Sequence, residues 1–64
     1  MISSRKIIQK LEEAGWVFDR YGKGDHMIYV HPDHNDPIVV VHPRKDNPIG
    51  LVKKYERQSG LKLR

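Results

Sequence analysis

The 64-residue sequence has no cysteine, one tryptophan and one phenylalanine. Without cysteine, disulfide staples and thiolate metal sites are excluded, although domains this small often lean on one or the other. The core must come from apolar packing, alone or against a partner, in a chain that buries only about 60% of its unfolded surface. The missing thiols fit a reducing compartment. No apolar run approaches the roughly 20 residues of a membrane span. The start, Met1-Ile2-Ser3-Ser4-Arg5-Lys6, lacks the apolar stretch of a secretory leader. A soluble, cytoplasmic protein with no membrane partner is expected. Repeats, linkers and low-complexity stretches are absent, so residues 1–64 read as one domain. Phosphate-loop and dinucleotide glycine patterns are missing as well. A Ser-His-Asp hydrolase would need a larger scaffold and a placed oxyanion hole.

What the sequence does have is positive charge. Lysine and arginine number 12 against 8 acidic residues, for a net charge of +4 and a pI near 9.6. Such an excess suits a polyanion, most often nucleic acid. It is also an ordinary solubilising surface for a small domain.

Periodicity predicts a helix over 3–14, with Ile7, Ile8, Leu11 and Ala14 on one face. Ser3 or Ser4 would cap it, and Gly15 would end it. Arg5 and Lys6 oppose the helix dipole in the first turn, at ~0.3–1 kcal/mol each relative to an acidic residue. A bound phosphate would account for them, and so would screened exposure. Strands are predicted over 16–21, 26–31 and 38–41, joined by turns at 22–25 and 32–37. Trp16, Phe18 and Arg20 would share one face. His26, Ile28 and Val30 would face opposite to Met27, Tyr29 and His31. The third strand, apolar throughout, reads as buried on much of both sides or covered by a partner. Asn47 would cap a second helix, with Pro48 at its first position, running to about Ser59 and ended by Gly60. Leu61 would fold back onto the last turn, and Lys62-Leu63-Arg64 would fray.

The short turns imply an antiparallel meander with two helices on one face. The fold class is α+β, α-β-β-β-α. The expected core is Ile7, Ile8, Leu11, Trp16, Phe18, Ile28, Val30, Val39 or Val40, Val52, Tyr55 and Leu61. The other sheet face would stay open to solvent or to a partner.

Chemistry centres on four histidines, His26, His31, His34 and His42. Cleaving RNA without a metal requires a proton acceptor for a 2′-OH and a donor for the leaving 5′-oxygen. Histidine suits either role because it titrates near neutrality. His26 follows the glycine turn Gly22-Lys23-Gly24, where the backbone leaves room for a phosphodiester. The residues alone leave two readings open: an idle strand-end histidine and a catalytic one. His31 and His34 read as solvated turn residues; His42, before Pro43, is ambiguous. A zinc site at His31, His34, Asp33 and Asp36 is poorly supported, because structural zinc wants four ordered ligands, usually with thiolates. Arg5, Lys6 and Lys10 on the first helix, Lys23 beside His26, Arg44 and Lys45 in a loop, and Lys53, Lys54 and Arg57 on the second helix could form a surface for duplex RNA.

Several runs, in order and at matching spacing, carry a resemblance over nearly the whole chain. They are Ala14-Gly15-Trp16, Gly24-Asp25-His26-Met27-Ile28-Tyr29, His42-Pro43-Arg44-Lys45-Asp46 and Gly60-Leu61. Together they resemble the HicA family of toxin mRNA interferases. The resemblance implies a double-stranded-RNA-binding-domain-like fold and a metal-independent endoribonuclease acting on mRNA, with no cofactor. It also implies a type II toxin–antitoxin pair, with a HicB-like antitoxin partner that covers the active site. The family's catalytic histidine follows a Gly-Ser pair at the start of the second strand; by position it is His26. Lys23, Lys45, Arg5 and Lys6 are the candidate RNA contacts. The sequence departs from the family at Asp25, where serine is usual. A carboxylate there repels phosphate but can hydrogen-bond an imidazolium. Two other readings of the same fold are a non-catalytic RNA-binding module and a protein-interaction domain using its open sheet face.

Overall fold

The computed structural model describes residues 2–64. Its elements are α1 (Ser4–Glu13), β1 (Val17–Tyr21), β2 (His26–Val30), β3 (Ile38–Val41) and α2 (Ile49–Ser59). The strands form one antiparallel sheet in the order β1-β2-β3. This is the expected α-β-β-β-α fold.

Local chemistry starts and stops α1 as read. Ser3 sits in extended backbone and its Oγ accepts from the Lys6 amide at 3.1 Å. Beyond the helix Gly15 takes φ +98°, and a Cβ there would stand 2.9 Å from the His31 ring. Both the backbone angle and the close approach therefore require glycine. Gly60, with φ +75°, ends α2 in the left-handed conformation.

Both helices lie on one sheet face. Ile7 and Leu11 from α1 and Val52 and Tyr55 from α2 pack with Tyr29, Ile38 and Val40, joined by Trp16 and Leu63. Fully burying each such aliphatic side chain contributes about 1.5–3 kcal/mol. Among the described residues no helix is long and apolar enough to cross a membrane.

The covered face of the sheet is the opposite of the one expected. Tyr29 is buried and Met27 packs against the core, while Val30 is 37% exposed; Ile28 is buried as expected, at 9%, but on the other side of the sheet from the cluster under the helices. Strand β2 is apolar at both parities, so alternation could not decide which set faces the helices. Phe18 is also outside the core. It lies on the edge strand at 37% exposure, edge-on to Tyr21 and Tyr29 at 5.0 and 5.9 Å. A bulge between Phe18 and Arg20 pairs the first with Tyr29 and the second with Ile28. The extra residue flips parity, so these two do not share a face. Strand β3 is not buried on both sides: Ile38 and Val40 point inward and Val39 is 41% exposed. Ile8 and Leu61 are only half-buried against the core.

Two ends also differ from expectation. Asn47 does not cap α2, which begins after Pro48 with no side-chain cap; Asn47 is buried instead. The C-terminal tail is not frayed. Leu63 is 3% exposed, and its amide and that of Arg64 donate to Glu56 Oε2 at 2.8 and 3.2 Å. These bonds hold the Glu56 carboxyl below the ordinary carboxylate range, with the Arg64 charge adding to them.

Candidate functional site

His26 opens β2 after the Gly22–Asp25 turn. Its amide donates to the Lys23 carbonyl at 3.3 Å, and its carbonyl accepts from the Gly22 amide at 2.8 Å. Gly24 takes φ +65° in this turn. In the ladder His26 pairs with Val41 of β3. Directly paired residues share a face, so His26 lies with Ile28 and Val41 on the side of the sheet that neither helix covers. That face is apolar: Val17 pairs with Val30, and Ile28 with Val39. Val17 is the most open of the four, at 59%. The His26 side chain is half-buried.

Val41 is held from the helix side by two polar side chains, Ser4 and Tyr55, the first braced by Asn47. Ser4, fully buried, donates its hydroxyl to the Val41 carbonyl and accepts from Asn47 Nδ2 at 3.3 Å. Tyr55 Oη accepts from the Val41 amide at 3.2 Å. Burial pushes the Tyr55 phenol above its ordinary value, against smaller opposing effects of that amide and Arg44. The loop after β3 is stitched to the start of α1. The Ser4 amide donates to the Arg44 carbonyl at 2.9 Å, and the Asn47 amide to the Ile2 carbonyl at 2.8 Å. The Ile2 amide donates to the Asp46 carboxylate at 3.2 Å.

These bonds gather the first turn of α1, the loop over 42–48 and the β1–β2 turn at the end of the sheet where His26 stands. Arg5, Lys6, Lys23, Arg44 and Lys45 are all exposed there. The acidic residues of the same segments are Asp25 and Asp46. Both helices lack an acidic residue in their first turn. The backbone bonds thus bring the segments that carry Arg5, Lys6, Lys23, Arg44 and Lys45 to the end of the sheet where His26 begins β2, with α1 on the opposite sheet face from the His26 side chain. Lys53 and Lys54 are exposed on α2. Ser4, Asn47 and Tyr55 were missed as supports of the site. A serine or asparagine beside a helix reads as a cap, and no local signal marks a bond across some 40 positions.

His31 and His34 stand at the other end of the sheet and are not both solvated. His31 Nδ1 accepts from the Asp33 amide at 3.0 Å, and Nε2 donates to the Ala14 carbonyl at 3.1 Å. The ring lies 5.3 Å from Trp16, with His34 at 4.7 Å from the same indole. This pair ties the end of α1 to the β2–β3 turn. Among the described residues no three His, Asp or Glu side chains converge as a metal-binding group.

Known proteins agree on what this chain is similar to. The family model described as HicA toxin of bacterial toxin–antitoxin matches residues 4–61. A solved structure of the HicA3 and HicB3 toxin–antitoxin complex superposes with a TM-score of 0.79 at 30% sequence identity, covering 98% of this chain and 100% of that one. No curated protein matches.

Proposed function

This chain belongs to the HicA family of toxins of bacterial toxin–antitoxin systems, and from that premise we propose that it is an endoribonuclease that cuts mRNA in the cytoplasm with His26 as its proton-transfer group. Residues 1–64 act as one toxin domain. What supports the reading is that His26 begins β2 on the uncovered sheet face, at the sheet end reached by the exposed segments that carry Arg5, Lys6, Lys23, Arg44 and Lys45. Those cations, with two helix N-termini free of acidic residues, attract phosphate.

The reaction needs no metal or cofactor. The 2′-oxygen attacks phosphorus, the phosphorus–O5′ bond breaks, and the 2′ proton leaves while the 5′-oxygen gains one. His26 serves one of these transfers, and Lys23 and Lys45 stabilise charge on the phosphoryl oxygens. Asp25, exposed beside His26, is a partner for the imidazolium rather than for the phosphate.

The partner we propose is a HicB-like antitoxin, as in the HicA3–HicB3 complex. Its seat is the uncovered face: Val17, Val30 and Val39 form an exposed apolar strip leading to His26. Aliphatic surface of this kind suits protein better than phosphate.

Expression of wild type and His26→Ala, followed by growth and mRNA integrity, tests the reading. The wild type should arrest growth with mRNA cleavage, and the folded variant should do neither. A folded variant that still cleaves would refute the role of His26. RNA binding without cleavage by either protein would make the chain a binding module.

A further inference from the structure

The bulge in β1 decides which sheet face carries Arg20. Before it the strand alternates regularly: Val17 pairs with Val30 and Phe18 with Tyr29, so Phe18 is on the face of Tyr29, under the helices. Regular alternation would return Arg20 to that face. The bulge inserts Asp19 as an extra residue, and Arg20 pairs instead with Ile28. Ile28 and His26 are on the uncovered face, so Arg20 is there too. A contact between adjacent side chains reports the same irregularity. Arg20 Nη1 donates to the Asp19 carboxylate, whereas neighbours along a regular strand point to opposite faces. Within the three strands Arg20 is the only lysine or arginine. Its side chain is 62% exposed. An ion pair this open adds little stability, and with one nitrogen engaged the guanidinium keeps further donors for a ligand.

We propose that Arg20 is a further catalytic residue, which binds the non-bridging oxygens of the phosphodiester that His26 serves. The proposal rests on the ribonuclease reading above. Arg20 stands across from Ile28, and His26 is two residues from Ile28 along β2. Such diagonal neighbours are about 7–8 Å apart at the backbone, within reach of long side chains. Gly22, which bonds the His26 carbonyl, adds no side chain between them. Ile28 packs over that glycine, with Cδ1 3.2 Å from where a Cβ would stand, and so forms an apolar floor between cation and imidazole. A phosphodiester lying over Ile28 meets His26 with its ester side and Arg20 with its non-bridging oxygens. Charge grows on those oxygens as the 2′-oxygen attacks phosphorus, and a planar fork can hold two of them at once. Arg5 and Lys6 belong to α1, against the opposite sheet face; Arg20 shares the face of the reacting group. Bulges recur next to active sites because they re-aim a side chain in this way.

The test compares wild type, Arg20→Ala, Arg20→Lys, Lys62→Ala and His26→Ala. Folding is followed by urea unfolding, and kcat and KM are measured on a mixed-sequence oligoribonucleotide. Arg20→Ala should stay folded, because Arg20 is exposed on an edge strand. It should lower kcat by about a hundredfold, as loss of one donor to the transition state does, while KM changes by less than about threefold. Arg20→Lys keeps the charge without the fork and should still lose about tenfold in kcat. Lys62→Ala removes the same charge from the exposed C-terminal tail and should change kcat by less than about twofold. A folded Arg20→Ala protein whose kcat stays within about threefold of wild type overturns the proposal. So does a loss at Lys62→Ala equal to that at Arg20→Ala, since the effect would then be one of net charge. Wild type that leaves RNA intact, or a folded His26→Ala protein that cuts as fast as wild type, overturns the ribonuclease reading itself, and the role of Arg20 falls with it.

Discussion

Ser4 and Ser3 stand side by side at the start of α1, and replacing each by alanine should have unequal effects. Ser3→Ala removes a helix cap, which costs about 1 kcal/mol. Ser4→Ala removes a fully buried hydroxyl that donates to the Val41 carbonyl and accepts from Asn47 Nδ2. Asn47 Nδ2 keeps its bond to the Ile2 carbonyl at 2.9 Å, so the main loss is the unpaired Val41 carbonyl. An unpaired buried polar group costs ~1–3 kcal/mol, and the better helix propensity of alanine returns up to about 0.5 kcal/mol. The net loss is ~0.5–2.5 kcal/mol, against the ~3–10 kcal/mol that a 64-residue domain has in total. At about 4–8 °C per kcal/mol for a domain this small, Tm should fall by roughly 2–20 °C. Urea unfolding followed by fluorescence reads the difference, since the chain has one tryptophan and Trp16 is buried in the core. If Ser4→Ala costs less than about 0.5 kcal/mol, the buried network does not hold β3 as described.

Four further outcomes follow from particular residues. Gly50→Ala should stabilise by about 0.5–1 kcal/mol, because the position is helical and a Cβ there meets nothing; urea unfolding measures it. Gly15→Ala should destabilise by at least ~1–3 kcal/mol in a thermal melt, through φ +98° and the His31 ring. Glu56 is held below its ordinary value of 4.5 chiefly by the Leu63 amide, so its stabilising effect is present above that value and is lost as pH falls through the lower folded value. The stability gap between wild type and Glu56→Gln should therefore be wide near neutral pH and shrink in acid; a gap independent of pH would contradict the anchor. Replacing Arg5 and Lys6 by alanine should weaken RNA binding and flatten its dependence on log salt by about 1 for each phosphate no longer neutralised, measured by fluorescence anisotropy.

What could be read from sequence was what neighbours along the chain decide. The apolar stripe of α1, its serine cap, the glycine stops after both helices and the glycine turn before His26 are local, and the structure has all of them. Strand positions were legible as well, because turn residues bound each apolar run. His26 could be ranked first among four histidines by its turn, and the role proposed for it came from the family resemblance. Phe18, Arg20 and the inward face of β2 were misread for different reasons: Phe18 lies on an edge strand, the bulge that turns Arg20 leaves no mark in composition, and Ile28-Tyr29-Val30 is apolar at every position.

By itself, then, the sequence determined the order of elements, the basic charge, the absence of covalent staples and a histidine at a strand head. Tertiary structure alone decided which sheet face the helices cover, and so which face is left open around His26. It alone brought Arg5 and Lys6 of α1 to the loop bearing Arg44 and Lys45, through bonds from Ser4 and Asn47 that span most of the chain. It also set Gly22 against His26, with the Ile28 side chain packed over the glycine. The physical reason is common to all three. Propensity and periodicity act over a few residues, whereas burial and pairing are settled by partners distant in sequence, and only packing chooses among them.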